Sequence, residues 1–499
     1  MTKGVIATPH KTASEIGAQV LRDGGNAIDA AIAANAVLCV VYPQMTSVAG
    51  DLMAIVWPAG AAAPVGLIGA GRSGELATID ALRSRGHEQM PERGVLTVTV
   101  PGTVEAWGRL LERFGTMGLG AVLEPAAALA GDGYIITAQL SESLKAAAEL
   151  LGREPAAQKL YPPMEAGMLL RNPDLASVLN DLGRGGINSF YRGAIAAAIA
   201  SAITRRDGLL TARDLAGHRS QWVEPITVGY RDVTVYELPP PTQGLTALAI
   251  LARLNRLSHE ELQPGPGFVA RFRRIRDECY LLRDQYITDP DFSTAPVQPF
   301  LDPDHVAVGG PGLREGGDTV YLCAADEHGN LVSLIQSVAF DFGSGIVAEG
   351  TGMLLQNRGC YFKLDPDHVN RLEPRKRTMH TLIPAMATRD GLPWAVFGTM
   401  GGDGQPQLQT QVLVNLVDHD LEPAEALARP RFRVVAGGAT VTLEADYPGA
   451  AQLARSNPQM QLMPPGHHTF GHAHAIVIDG RTWRAAADPR SDGSAEFVP

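Results

Sequence analysis

Apolar residues recur at helical spacing over most of the chain up to about residue 288, and this pattern predicts a helix-rich first part. A Thr-Ala-Ser-Glu capping box at 12–15 predicts the first helix, and Asn26 is placed to cap a second helix that is rich in alanine. Alanine and leucine keep this spacing over about 104–215 and again over about 243–288. The spacing therefore indicates amphipathic helices through this part of the chain.

The pattern changes after a long segment, about 289–318, that is rich in Gly, Pro and Asp and lacks apolar periodicity. This segment is predicted to be an exposed, protease-sensitive linker. Beyond it, short β-like runs dominate, with two helical segments at about 405–418 and 423–428. The strands predicted for the whole chain are 52–57, 233–238, 319–325, 331–338, 394–399, 439–444 and 474–479. The expected fold class is therefore α+β.

A predicted hairpin places two hydroxyl side chains at the start of this second part. Residues 326–330, Asp-Glu-His-Gly-Asn, are typical of a loop between two strands. If the hairpin closes symmetrically about His328, Thr319 lies directly opposite Ser337, with Cβ atoms roughly 5 Å apart. Gly316-Gly317 precedes this pair, so a flexible turn leads straight into the strand.

Thr319 is a candidate nucleophile for this reason. A threonine hydroxyl needs a base, and an N-terminal threonine carries one in its own α-amino group, with an intrinsic pKa of about 8. Breaking the Asp318–Thr319 bond would create that terminus. The same hydroxyl can break the bond by attacking the preceding carbonyl, which gives an ester that water hydrolyses. The alternative is that Thr319 merely favours the start of a strand.

Two further motifs suit an acyl-transfer site. The strand at 394–399 leads into Met-Gly-Gly-Asp-Gly at 400–404, where the N–H groups of Gly401-Gly402 could stabilise an oxyanion. A plain strand-to-helix turn or a phosphate loop are the alternatives, although no Walker-type lysine follows. Arg72, within a glycine-rich loop at 69–74, is either a carboxylate-binding arginine or a solvated surface residue.

Net charge, cysteine and histidine spacing and the length of apolar runs limit the classes of function and partner to consider. A net charge of −11 and an isoelectric point near 5.6 argue against nucleic acid as the main partner. Four cysteines without CxxC spacing are expected to be reduced and mostly buried. The histidines between 467 and 474 have no cysteine or acidic ligand among them, so neither a metal nor a cofactor is expected. Residues 1–10 lack a signal-peptide pattern and the longest apolar run, 30–42, is short for a membrane span, so a cytoplasmic enzyme is expected.

Several motifs spread over essentially the whole chain occur together in one known family. They are LRDGGNAIDAA at 21–31, VPGTV at 100–104, ELPPP at 237–241, DT at 318–319, DFGSG at 341–345, GG at 401–402 and DPRS at 488–491. In this combination the chain resembles the γ-glutamyltranspeptidase family of N-terminal-nucleophile hydrolases. Each motif is weak alone, and the set is specific.

The resemblance implies a four-layer αββα sandwich and a proenzyme that cleaves itself into two non-covalently associated subunits. The subunits would be residues 1–318 and 319–499. By the same resemblance, Thr319 is the nucleophile and the Ser337 hydroxyl binds the new amino terminus. The other matching positions are Gly401 and Gly402 near the oxyanion, and Arg72 at the substrate α-carboxylate.

Five positions depart from the family members that act on glutathione. Those members carry an asparagine at the position of Ala339, a glutamine and an aspartate at the positions of Arg358 and Tyr361, and two serines at the positions of His380 and Thr381. The glutamine and aspartate of those members bind the substrate α-amino group. An arginine at 358 instead favours an anionic substrate, as in hydrolytic branches such as oxamate amidohydrolase or acylase-like members.

The expected function is hydrolysis of γ-glutamyl or other small carboxylate-bearing amides through an acyl-enzyme. The alternatives are a true γ-glutamyl transferase or glutathione hydrolase, an oxamate amidohydrolase and, from another class, a scaffold that is never processed. The expected partners are a small amide substrate and the two subunits of one precursor. The sequence is also compatible with a homo-oligomer.

Overall fold

The computed structural model of the protein describes residues 3–305, 316–435, 440–480 and 482–499. The strands are β1 Gly4–Thr8, β2 Asp51–Trp57, β3 Val65–Gly69, β4 Tyr134–Ile135, β5 Leu169–Leu170, β6 Gln221–Val223, β7 Ile226–Tyr230, β8 Val233–Glu237, β9 Asp318–Asp326, β10 Leu331–Ala339, β11 Val347–Ala348, β12 Met353–Leu354, β13 Ala385–Arg389, β14 Leu392–Thr399, β15 Phe432–Val434, β16 Val441–Glu444, β17 Met460–Met463, β18 Ala473–Asp479, β19 Thr482–Ala487 and β20 Ser494–Val498. The helices are α1 Lys11–Arg22, α2 Ala27–Val41, α3 Ile79–Arg83, α4 Thr103–Phe114, α5 Leu119–Asp132, α6 Ala138–Ala146, α7 Ala148–Gly152, α8 Pro155–Leu160, α9 Pro173–Gly185, α10 Ile187–Arg192, α11 Ala194–Thr204, α12 Ala212–Ala216, α13 Gly244–Leu254, α14 Pro266–Tyr286, α15 Val297–Leu301, α16 Gln405–Val417, α17 Pro423–Ala428 and α18 Ala450–Ser456.

Two large antiparallel sheets form the centre of the fold. One has seven strands in the order β20-β1-β9-β10-β2-β3-β6, and the other has six in the order β19-β18-β14-β13-β8-β7. The first sheet therefore contains strands from both ends of the chain, and β9 and β10 lie near its middle. Strand β14, which leads into the glycine pair, lies inside the second sheet.

The alternation of side chains in β9 shows how the layers stack. Tyr321 and Cys323 belong to an apolar core that also contains Met386 and Ile476 of the second sheet. Val320, Leu322 and Ala324 point to the opposite face, where they join the core formed by α2 and its neighbours. A third core packs α13, α14 and α16 on the outer face of the second sheet. The predicted αββα sandwich is therefore confirmed.

The first helix begins before the predicted capping box. Helix α1 starts at Lys11, and its N-cap is His10, whose Nδ1 accepts the N–H of Thr12 at 3.3 Å. An imidazole acceptor therefore takes the role expected of a threonine hydroxyl. Asn26 caps α2 as predicted, because its Oδ1 accepts the N–H groups of Ile28 and Asp29.

The segment 289–318 is an exposed linker only in part: residues 291–294 are exposed, but the prediction is wrong for Asp289 and for the helix at Val297–Leu301. Asp289 is fully buried, and its carboxylate accepts hydrogen bonds from the Arg72 guanidinium and from the N–H of Arg377. Helix α15 follows, with Phe300 buried. Residues 306–315 lie outside the described residues. Buried ion pairing thus outweighs the polar composition on which the linker prediction rested.

The cysteine prediction is confirmed, because all four cysteines are free and buried. Among the described helices, none combines the length and the apolar character that crossing a membrane requires.

Candidate active site

Thr319 lies one residue inside β9, and its side chain is almost fully buried. Its Oγ1 accepts a hydrogen bond from Nε2 of Gln405 at 3.3 Å. The other end of that amide, Oε1, accepts the backbone N–H of Ile383 at 3.3 Å. Gln405 is the first residue of α16, so the start of this helix fixes a donor beside the threonine hydroxyl. The amide orients the hydroxyl, because the lone pair that accepts this bond is no longer available in another direction.

The hairpin that carries Thr319 is irregular at the expected pair. Its register is symmetric as far as the Val320–Gln336 pair, but Ala339 is then paired with position 318. One extra residue in β10 therefore forms a bulge at this end of the hairpin. The prediction that Thr319 lies directly opposite Ser337 is wrong for this reason.

The bulge places the Ser337 hydroxyl beside the backbone of its own strand. Ala339 has a φ of +82°, and its N–H donates to Oγ of Ser337 at 2.7 Å. On its other edge, Ser337 is paired with Asp51 of β2. Ser337 is thus a buried hydroxyl on the strand next to Thr319, between the bulge and the start of β2.

The glycine pair lies against the backbone that precedes Thr319. Gly401 and Gly402 have φ values of +134° and +55°, a region that favours glycine. A Cβ on Gly402 would lie 2.1 Å from the carbonyl oxygen of Gly316 and 2.5 Å from that of Gly317. The close approach needs a residue without a side chain at 402. This contact to the chain's own backbone favours the acyl-transfer interpretation over a phosphate loop.

Three hydrogen bonds hold Gly316 in this place. Its carbonyl oxygen accepts the hydroxyl of Tyr361 at 2.8 Å and the N–H of Asp403 at 3.2 Å. Its own N–H donates to Oδ1 of Asp403 at 2.6 Å. The backbone two residues ahead of the Asp318–Thr319 bond is therefore fixed in the intact chain by Tyr361 and by the turn after the glycine pair.

Arg358 is buried beside these groups and is only partly satisfied. Its Nη1 donates to Oγ1 of Thr381 at 2.9 Å, and its guanidinium carbon lies 5.3 Å from the centre of the Tyr361 ring. Within the described part of the chain, Nε and Nη2 have no hydrogen-bond partner. Buried donors are normally paired, and an unpaired one is costly. These two N–H groups therefore favour an anionic ligand.

His380 forms a buried pair with a carboxylate that sequence reasoning missed. Its Nε2 lies 3.1 Å from Oδ2 of Asp51, while Oδ1 of Asp51 accepts the N–H of Gly71 at 3.2 Å and Nε2 of Gln356 at 3.1 Å. Burial, and next the charge of Arg358, lower the pKa of His380 to about 4, against the raising effect of Asp51. The imidazole is therefore neutral near pH 7.

Arg72 already has carboxylate partners of its own. Its Nη1 donates to Oδ2 of Asp289 at 2.6 Å and to the carbonyl of Arg375 at 2.8 Å, and its Nη2 donates to Asp291. Arg72 is thus not a free, solvated arginine, and its guanidinium group is already bound to carboxylates. The contacts bring Thr319, Gly402, Tyr361, Arg358, Thr381 and His380 into one connected region, and Arg72 adjoins it through its neighbour Gly71, which binds Asp51.

Asp51, Asp403 and Gln405 are site residues that sequence reasoning did not single out. Asp51 is the first residue of an otherwise apolar, buried strand and directly follows Gly50. A carboxylate at the start of such a strand is the sequence feature that could have indicated a functional residue. Asp403 lies within the glycine turn, and Gln405 follows it as the first residue of α16. The turn is recognisable by the backbone N–H groups of its glycines, which do not indicate a role for these two side chains.

Three buried neutral histidines predict a loss of stability in mild acid. The pKa values are lowered to about 4 for His380 and to about 3 for His218 and His474, mainly by burial. The unfolded chain, with histidine pKa values of about 6.5, binds more protons below that pH. The stabilisation is therefore complete above pH 6.5 and is lost as the pH falls towards 4 for His380 and towards 3 for His218 and His474, by about 2 kcal/mol per histidine at pH 5.

Urea denaturation of the Thr319→Ala chain at pH 7 and pH 5 measures this loss on a single polypeptide. His380→Gln should make the pH-dependent change smaller, because it removes one of the buried groups whose pKa is lowered in the folded chain. An equal urea midpoint at both pH values would show that these rings are not buried in the neutral form.

Comparison with known proteins finds relatives that match nearly the whole chain. The family model for gamma-glutamyltranspeptidase matches residues 13–498. A Bacillus subtilis protein named glutathione hydrolase-like YwrD proenzyme is 35% identical, over 99% of this chain and 98% of its own length. The oxamate amidohydrolase proenzyme of Klebsiella pneumoniae is 34% identical over the same shares of the two chains, 99% and 98%. The solved structure of cephalosporin acylase from Bacillus halodurans has a TM-score of 0.92 at 34% identity, and the match covers 99% of this chain and 96% of that one.

Proposed function

The chain belongs to the gamma-glutamyltranspeptidase family and is an N-terminal-nucleophile hydrolase or transferase, and on this basis we propose that it is a self-cleaving threonine amidohydrolase of small carboxylate-bearing amides. Thr319 is the nucleophile, and residues 1–318 and 319–499 are the two subunits of one precursor. The relatives named as proenzymes support the maturation step. The buried, incompletely paired Arg358 is the observation that carries the substrate class.

Maturation begins at the intact Asp318–Thr319 peptide bond. Oγ1 of Thr319 attacks the carbonyl carbon, the C–N bond breaks, and the hydroxyl proton passes to the nitrogen that leaves. Water hydrolyses the resulting ester, so residue 318 ends in a carboxylate and Thr319 begins with a free amine. The bond from Gln405 to Oγ1 and the three bonds to Gly316 support this step, because they fix both the hydroxyl and the backbone ahead of the scissile carbonyl.

Turnover uses the same hydroxyl with a new base. The α-amine of Thr319 takes the proton of Oγ1 as the oxygen attacks the substrate amide, and the Ser337 hydroxyl orients that amine. The N–H groups of Gly401 and Gly402 stabilise the oxyanion, the amine product leaves, and water hydrolyses the acyl-enzyme. Gly316 and Gly317 lie against Gly402 in the uncleaved chain. After cleavage, these two residues therefore have to move away before a substrate carbonyl can reach the N–H groups of Gly401 and Gly402.

Arg358 separates the candidate substrates. Its two unpaired N–H groups suit a carboxylate, and charge-assisted hydrogen bonds of this kind are among the strong ones. An ammonium group beside it would be repelled, which disfavours γ-glutamyl donors with their α-amino group. An amide with a carboxylate and no ammonium, such as oxamate, is therefore the better substrate, and the name of the Klebsiella relative supports this choice.

Arg358→Gln tests the substrate class. With oxamate, kcat/KM should fall about 10- to 100-fold, because hydrogen bonds to charged groups contribute about 1.5–3 kcal/mol. Oxamide, in which an amide replaces the carboxylate, should be a poor substrate of both proteins. Ammonia release measures both reactions, and self-cleavage should persist in the variant.

Arg153→Gln is the matched control, since Arg153 is an exposed arginine paired with Glu149, and it should behave as wild type. Equal turnover of oxamate and oxamide by wild-type protein, together with no effect of Arg358→Gln, would overturn the carboxylate assignment. Stimulation of γ-glutamyl-p-nitroanilide turnover by glycylglycine would favour a transferase instead.

A further inference from the structure

A large cavity is lined by Arg72 and by residues other than those that contact Thr319. It has a volume of about 720 Å³ and is bordered by α4, α12, β6 and the segment 375–377. Within the described residues, Asp214 is its one lining carboxylate. Six arginines line it: Arg72, Arg109, Arg213, Arg219, Arg375 and Arg377.

Most of these arginines already have partners, and two stand out. Arg72 binds Asp289 and Asp291, whereas Arg109, Arg213 and Arg375 form ion pairs with glutamates outside the lining. Arg219 has no carboxylate within ion-pair distance among the residues that the structure describes, and its guanidinium donates to the carbonyl of His218. Arg377 is buried, and its Nη1 is 3.9 Å from Asp289 and 3.2 Å from Oε1 of Gln221.

Besides Nε of Arg109, which lies 3.7 Å from Oε1 of Glu105, two buried polar atoms of the lining lack hydrogen-bond partners in the described part of the chain. They are Nε2 of His218 and Oγ of Ser220, and each residue is only 6% exposed. The His218 ring stacks on Tyr191, with centroids 5.3 Å apart. Burial, with smaller effects of Arg377 and Arg219 and against the raising effect of Asp51, lowers the pKa of His218 to about 3, so the ring is neutral and can donate one N–H.

We propose that this cavity binds a small polyanion, a molecule with at least two carboxylate or phosphate groups, through Arg219, Arg377, His218 and Ser220. Unpaired buried donors and an arginine without a carboxylate partner are the features expected of an anion site. The volume suits a small molecule, and guanidinium groups on two separate segments suit two anionic groups on one ligand. The lining includes neither Thr319 nor Arg358, on which the proposed amidase site rests, so the proposed anion site lies beside the amidase site and uses different residues.

Isothermal titration calorimetry with citrate and with pyrophosphate tests the proposal. Wild-type protein and the full Thr319→Ala chain should both bind at least one probe saturably, more tightly than acetate, and with an affinity that falls as salt rises. Tighter binding of citrate would identify a carboxylate ligand, and tighter binding of pyrophosphate a phosphate ligand. The measurement does not need the Thr319 hydroxyl, and variants of Arg219 and Ser220 separate binding in this cavity from binding at Arg358.

Arg219→Gln should weaken binding about tenfold, and Ser220→Ala should weaken it without lowering the melting temperature. Arg219 is exposed and the Ser220 hydroxyl is unpaired, so neither change removes a contact that the fold needs. Arg153→Gln serves again as the control and should bind as wild type. Saturable binding of neither probe, or unchanged binding by both variants, would overturn the proposal.

Discussion

Thr319→Ala should yield one polypeptide of 499 residues with no amidase activity. The substitution removes the oxygen that attacks the Asp318 carbonyl, and it removes the same oxygen as the nucleophile of turnover. The substitution also removes the atom that accepts the Gln405 hydrogen bond. A neutral hydrogen bond contributes about 1 kcal/mol, so the free energy of unfolding should fall by about that amount. The fold should persist, because the surrounding strands and cores do not depend on that hydroxyl. Denaturing electrophoresis and ammonia release from oxamate measure the two losses separately.

Thr319→Ser is the matched control, since it keeps the hydroxyl and removes only a methyl group. It should still process and turn over, at reduced rates, because the serine side chain is less restricted about χ1. A Thr319→Ala protein that cleaves between residues 318 and 319, or that hydrolyses oxamate, would disprove the nucleophile assignment.

Gly402→Ala should slow self-cleavage strongly. An added Cβ would lie 2.1 Å from the Gly316 oxygen and 2.5 Å from the Gly317 oxygen, so the segment ahead of the scissile bond has to move. Overpacking of this kind costs about 1–3 kcal/mol, which corresponds to roughly a 10- to 100-fold lower rate if the cost falls on the reactive geometry. The time course of subunit appearance during cell-free synthesis measures the rate.

Gly480→Ala controls for backbone strain. Gly480 has a φ of +58°, close to the +55° of Gly402, but no atom lies within 4 Å of its added Cβ. Both substitutions therefore carry the cost of a left-handed alanine, and only Gly402→Ala displaces the precursor segment. Wild-type cleavage by Gly402→Ala would show that the contact with Gly316 does not position the scissile bond.

The two strands around the nucleophile were predictable because their apolar runs and their loop are local features. Strands β9 and β10 extend the predicted segments by one or two residues, and their register is the expected one as far as Val320–Gln336. The bulge beyond that pair was not predictable from periodicity, because it depends on Ala339 taking a positive φ and bonding back to Ser337. Strand pattern therefore located the two hydroxyls but not their mutual geometry.

The substrate region shows the same division between local and long-range information. Arg358 was named from its position in the family pattern, but its two unpaired N–H groups result from burial beside Tyr361 and Thr381. Asp289 illustrates the reverse error. The residues around Asp289 in the sequence indicate a polar loop. Its carboxylate is nevertheless buried, because it accepts hydrogen bonds from Arg72 and Arg377, which are distant along the chain.

Intact-mass spectrometry of freshly purified wild-type protein under denaturing conditions tests the central claim most directly. Self-cleavage at the proposed site predicts two polypeptides, residues 1–318 and 319–499, the smaller beginning with Thr319. A single polypeptide at the mass of the whole chain, 52.9 kDa, would contradict the claim and would leave Thr319 as an ordinary strand residue.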